Sequence, residues 1–195
     1  TGPLKIMSKD SVFTHDILPR IRADHPVISV ITHEWERLRN MLFDASEELE
    51  RKLLRWSSAH RFIEEFDFEN NSWADLKKDG KTLLAPIFDD AHNTQLDEGG
   101  VLNYANGKVG RCAPDYLIWW YKQQPWLHNS ILWIEDLSPY LDMTAHLAAS
   151  HSRRDLVRRI REFCSSDPDS INKTIVMSFP EAYLPVELEK DVEQF

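Results

Sequence analysis

The run Ile131-Leu132-Trp133-Ile134-Glu135-Asp136 constrains this chain more than any other stretch. Four apolar residues lead straight into two carboxylates, and Leu137-Ser138-Pro139 then breaks the pattern. An apolar run this short, closed by turn residues, predicts a strand covered on both faces, which a parallel sheet under helices requires. Acids at the carboxyl end of such a strand stand where open α/β sheets take their ligands.

The flanking segments support the same architecture. Val27-Ile28-Ser29-Val30-Ile31-Thr32 is rich in β-branched residues and predicts a second buried strand. His33-Glu34-Trp35-Glu36 opens a helix with Thr32 as its expected cap, and Trp35, Leu38, Met41, Leu42, Ala45 and Leu49 recur at helical spacing. A strand is expected at 53–57, a helix at 114–124 and a helix at 152–163. A further strand is expected at 173–179, a short helix at 185–189 and a last strand from Val192. Strands alternating with helices predict a three-layer α/β fold with a mainly parallel sheet. The pattern degrades between about 66 and 110, where residues 89–110 hold four of the six glycines, and this stretch reads as a loop-rich insertion.

With 195 residues, one domain is expected. Residues 1–6, ahead of Met7, read as an expression-vector scar, leaving 7–195 as a single α/β domain. No apolar run approaches the roughly 18 residues that cross a bilayer, so no membrane role is expected and a cytoplasmic location is. Cys112 and Cys164 lack metal-ligand spacing and are expected as reduced thiols. The net charge of −9 disfavours nucleic acid as a partner.

Taken in order, several stretches resemble the N-terminal domain of a AAA+ ATPase of the hypothetical-chloroplast-frame type, known from plastids, cyanobacteria and other bacteria. They are His25 to Thr32 running into Glu34-Trp35-Glu36-Arg37-Leu38, then Leu54-Arg55-Trp56-Ser57 and Ile131 to Leu141. The helix around Arg154-Asp155-Leu156 follows, then Lys173 to Ser178 and Leu184 to Lys190. The resemblance implies a degenerate AAA+/RecA-like core placed ahead of a true ATPase module outside this chain. Mg-ATP would then be the cofactor of the parent ATPase module, with none in this fragment. The partners it implies are a protein, the chain's own ATPase module, or a second copy in a homo-oligomer of the full-length protein.

The chemistry of the residues agrees with a degenerate site. A P-loop wraps phosphate with glycine N–H groups and adds a lysine and a Ser/Thr. Ile31-Thr32-His33-Glu34-Trp35 contains no glycine and no lysine, and Glu34 would repel phosphate at a helix N-terminus. Glu135 and Asp136 take the Walker-B-like place, in the reverse of the usual order of aspartate then glutamate. Their bland role is to cap the following turn or to pair with arginines. Phe179-Pro180 fills the place where an asparagine sensor would stand. No catalytic residue and no metal ligand is assigned.

Arg153, Arg154, Arg158, Arg159 and Arg161 form the densest basic patch and, with Trp126, are the candidate partner interface. The simpler role for those arginines is a solvated helix face paired with Asp155 and Glu162. Two other classes of function stay open. One is a small metal-dependent hydrolase or nuclease using Asp89, Asp90 and His92 or the Glu135/Asp136 pair. The other is a freestanding interaction domain.

Overall fold

The structure, a computed structural model, describes residues 14–57, 63–82, 87–88, 95–96, 102–103, 111–112, 114–141, 153–165, 172–181 and 184–195. The expectations for residues 1–6 and for Asp89, Asp90 and His92 lie outside these.

Five parallel strands form the frame: β1 (Val27–Ile31), β2 (Lys52–Ser57), β5 (Ser130–Glu135), β6 (Lys173–Phe179) and β7 (Glu193–Gln194). Two short antiparallel strands, β3 (Glu64–Asp67) and β4 (Ser72–Asp75), extend the β2 side. Among the described residues these seven strands make one sheet in the order β7-β1-β6-β5-β2-β3-β4. The expected mainly parallel α/β sheet is therefore present, with β5 and β6 in its interior.

Helices cover both faces. α1 (Thr14–Arg22) and α2 (Trp35–Glu48) lie on one side, while α3 (Pro114–Gln123), α4 (Ser138–Leu141) and α5 (Arg153–Cys164) lie on the other. The pleat explains the division, because alternate residues of a strand point to opposite faces. Ile131 and Trp133 join Ile17, Leu38 and Leu42 in the core under α1 and α2. Leu132 and Ile134 join Leu117, Tyr121, Ile160 and Phe163 in the core under α3 and α5. Only residues apolar at every position of the run can serve both cores, which is why 131–134 carry no polar residue.

The helix stripes follow the expected spacing. Leu156, Val157, Ile160 and Phe163 are buried on α5, and Leu38, Met41, Leu42 and Ala45 on α2. The expected short helix at 185–189 is a single 3₁₀ turn at Val186–Leu188. One expectation changes at the start of the loop-rich stretch. Residues 64–75 form a hairpin, with Phe66 opposite Trp73 across Asn70-Asn71. Asn71 adopts a left-handed φ of 50°, a backbone state that asparagine tolerates better than most residues. The hairpin closes over α2, where Phe43 stacks on Phe66 at 4.0 Å.

Candidate functional site

The carboxyl ends of the parallel strands place Val30, Ser178, Glu135 and Ser57 in one row across β1, β6, β5 and β2. Glu135 lies two residues beyond Trp133, so the pleat directs it to the α1/α2 face. On that face its charge meets Arg55, whose Nε lies 4.0 Å from Glu135 Oε1. Arg55 is held more closely by Glu64, with Nε at 2.8 Å and Nη2 at 2.7 Å from Glu64 Oε2. Its guanidinium carbon also sits 4.2 Å from the centre of the Trp73 ring. Arg55, Glu64 and Glu135 expose 19%, 19% and 28% of their side chains, so the cluster is mostly withdrawn from water.

Asp136 does a different job. Its backbone turns into the left-handed region, with φ at 46°, and its N–H donates to Ser178 O at 3.0 Å. Its Oδ1 accepts from the Ser138 N–H at 3.1 Å and from the Ser138 hydroxyl. This is an aspartate closing a tight turn at the start of α4. Across the paired strands β5 and β6, Trp133 Nε1 donates to Ser178 Oγ at 2.8 Å, both groups being buried. The position beside the expected sensor is thus spent on a core hydrogen bond.

The β1–α2 connection is three residues, Thr32-His33-Glu34, because the helix begins at Trp35 rather than at His33. Thr32 does not cap α2 as expected. Its Oγ1 accepts from the Glu34 N–H at 2.9 Å, and its own N–H donates to Phe179 O at 2.9 Å. The Glu34 carboxylate pairs with Arg37 at 2.8 Å. Two of the backbone donors available for an anion are therefore committed inside the chain, and a carboxylate stands at the helix N-terminus.

The basic patch on α5 is engaged at most positions. Arg153 clasps both oxygens of Glu187, at 3.1 and 3.0 Å, and donates to Leu141 O at 3.1 Å. Arg158 and Arg159 share Glu162, at 2.9 and 2.8 Å, and Arg161 meets Asp191 at 3.1 Å. Arg154 is exposed and has no partner among the described residues. Burial acts to raise the Glu162 carboxyl, but the Arg158 and Arg159 hydrogen bonds and charges outweigh it and hold it below the usual range. Arg153 does the same for Glu187. Trp126 is partly buried on the α3/α5 core, with its N–H on Gln124 Oε1 at 3.1 Å and Lys78 Nζ 5.6 Å from its ring. Cys164 lies on α5, where burial, aided by the Asp191 charge, pushes its thiol up to about 12.

Among the described residues no group of three or more His, Cys, Asp or Glu is arranged to hold a metal ion, and no helix is long and apolar enough to cross a membrane. Sequence reasoning overlooked Arg55, Glu64 and Trp73. The available signal was the arginine itself: a charge between the apolar residues Leu53, Leu54 and Trp56 of an expected strand needs a partner.

A parallel core whose five strands lie in the spatial order fifth-first-fourth-third-second, with helices on both faces, is compatible with a AAA-type core. The family model for the SpoVK-like AAA ATPase, N-terminal domain, matches residues 13–195, and the chain belongs to that family. No curated protein and no solved structure matches the chain.

Proposed function

We propose that this is a non-catalytic, degenerate ATPase-like N-terminal domain, of the hypothetical-chloroplast-frame type, acting in the cytoplasm. Its role is to bind a protein partner, a substrate or a neighbouring subunit for an ATPase module outside this chain. Mg-ATP is the cofactor of that module and not of this domain.

The observation that carries this reading is the β1–α2 connection. It is three residues long, and the N–H groups of Thr32 and Glu34 are already bound within the chain. Membership of a family defined by its place ahead of a AAA ATPase supplies the context. On α5 Arg154, Arg158 and Arg161 remain exposed to a partner, the last two while paired with Glu162 and Asp191.

The test is the melting temperature of the chain with and without Mg-ATP. A ligand at 100 times its dissociation constant stabilises by about 2.7 kcal/mol, a shift of several degrees for a domain of this size. The expected result is no shift with Mg-ATP, together with binding of the chain to its ATPase module in a pull-down. A clear Mg-ATP shift would overturn the reading.

A further inference from the structure

The sheet ends at β4, and among the described residues no strand lies beyond it. Ser72, Ala74 and Asp75 are exposed there, and Trp73 is partly buried. Register fixes which main-chain groups face outward. The Leu76 N–H donates to Ile63 O at 2.8 Å, so in the antiparallel alternation Ala74 and Ser72 turn their N–H and C=O groups toward β3. Those of Trp73 and Asp75 therefore point away from the sheet. Such an edge is a template for one more strand.

Charge selects the strand. Residues 64–75 carry five acids, Glu64, Glu65, Asp67, Glu69 and Asp75, and no lysine or arginine. Arg55 meets Glu64, and Lys52 meets Glu65 at 3.4 Å. Asp67 accepts the Glu69 and Asn70 N–H groups in the turn. Glu69 and Asp75 are exposed and pair with no cation among the described residues. The lysines that follow, Lys77 and Lys78, fold back on Thr82 and Lys81 in a separate pair of short strands. A second copy of the chain laid along β4 would set acid against acid, which disfavours self-pairing. Aromatic rings stand beside the same edge: Phe68, 39% exposed, meets Phe66 edge-on at 4.9 Å, and Phe66 meets Trp73 at 5.2 Å. The stem of a lysine or arginine lies readily on such rings.

We propose that the outer edge of β4 takes up an extended, lysine- or arginine-bearing segment of a partner protein as one further strand. The main-chain groups of Trp73 and Asp75 supply the ladder, and Glu69 and Asp75 supply the charge that prefers a basic segment. This deepens the proposed function by naming the surface and the partner chemistry, and rests on its partner-binding role.

The experiment titrates the whole chain, by calorimetry, with a short synthetic peptide that alternates lysine and valine. Two control peptides carry glutamate in place of lysine, or proline in place of valine, the second keeping the charge but losing donors for a ladder. The expected result is binding of the lysine–valine peptide and of neither control. Glu69→Lys/Asp75→Lys is expected to weaken that binding roughly tenfold and to take the glutamate peptide instead. No binding of the lysine–valine peptide would overturn the proposal. Equal binding of the proline peptide would do so too, since charge would then act without a strand. Unchanged affinity in the double variant would place the binding elsewhere. A chain that sediments as a dimer, split by Asp75→Pro, would give the edge to a second copy and overturn the proposal as well. Both substituted side chains are exposed, and the control peptides need no variant to fold. A stabilisation by Mg-ATP would overturn the proposed function while leaving the peptide titration readable.

Discussion

At the amino ends of the parallel strands Lys173 is a buried cation, and toward their carboxyl ends Arg55 is a partly buried one. Lys173 is 3% exposed and donates to three main-chain carbonyls, of Tyr121 at 2.8 Å, Lys122 at 3.0 Å and Gln124 at 2.7 Å. These carbonyls close the C-terminal turn of α3, the negative end of that helix dipole. Nearby the Tyr121 hydroxyl meets Ser130, its oxygen 3.1 Å from Ser130 O and 2.8 Å from Ser130 Oγ. Asn129 and Asn172 make the left-handed turns into β5 and β6. The amino end is thus joined by an ammonium on neutral dipoles, by hydroxyl bonds and by Arg51, which reaches Thr174 Oγ1 at 3.2 Å and Asp24 at 2.8 Å. The carboxyl edge is joined by formal charges, a tryptophan N–H and a strained aspartate turn. The first arrangement stabilises a fold and leaves nothing to exchange. The second rests on ion pairs whose side chains are still 19–28% exposed to water.

The comparison breaks most easily at Lys173. Lys173→Met leaves three helix-end carbonyls without their donor, and is expected to cost about 3 kcal/mol, the range for losing charged hydrogen bonds to buried acceptors. Urea unfolding of the variant measures it. A loss under about 1 kcal/mol would mean that water replaces the ammonium, and that the amino end is less closed than its burial implies.

Tyr121→Phe probes the same end with a smaller change, expected to cost about 1 kcal/mol through the Ser130 bonds. It also carries a pH signature. Burial raises the Tyr121 phenol far above its ordinary value of 10.0, and the Ser130 hydrogen bond and the Arg51 charge offset only part of this. The folded state therefore holds the proton more tightly than the unfolded chain does. That contribution is complete below pH 10 and is lost as the pH climbs toward the raised value. Unfolding curves between pH 9 and 11 (about one unit either side of the free phenol,) are expected to fall less steeply for Tyr121→Phe. Equal slopes would show that the phenol is not sealed from solvent.

At the other end, Trp133→Phe removes the indole N–H that meets Ser178 Oγ, and is expected to cost slightly less, about 1 kcal/mol or below. Ser178→Ala should match it, and the double variant should cost little more than either single one, since both lose the same bond. Additive losses would mean that the two residues act separately, and that this contact does not tie β5 to β6.

How much of this was legible in the sequence depends on whether a residue's role is local. β1, β5, β6 and the stripes of α2 and α5 were readable because apolar periodicity is written along the chain. The β3–β4 hairpin was not, although Phe66 and Trp73 pair across it. Glu64, Glu65, Asp67 and Glu69 dilute the alternation, and Asn70-Asn71 is a weaker turn signal than Asn-Gly. The absence of a glycine between β1 and α2 was plain from composition. The partner of Glu135 was not, since Arg55 is 80 residues earlier and reaches it only because β2 pairs with β5. The arginines of α5 were visible as a patch, but their acceptors Glu187 and Asp191 come from the last turn of chain, which periodicity cannot place against a helix. Lys173 was read only as the first residue of a strand, because nothing local says that a helix end stops above it.

The smallest effect sharpens the comparison by adding a third class of charge, the exposed pairs on α5. Glu162 and Glu187 titrate below their usual values through Arg158, Arg159 and Arg153, so the folded state favours their ionised forms. Their contribution is present above the unfolded carboxylate value of 4.5 and is lost as the pH falls through the lower folded values. Glu162→Gln/Glu187→Gln is therefore expected to lower stability slightly at neutral pH and to converge with the unchanged chain as the pH falls below 4.5, which flattens the acid limb. Both side chains are well exposed, so added salt should erase most of the difference. Lys173→Met should show no such relief, because its acceptors are neutral dipoles and its site is closed to ions. If salt rescued Lys173→Met as it does the α5 pairs, the distinction between a dipole-held amino end and charge held elsewhere would fail.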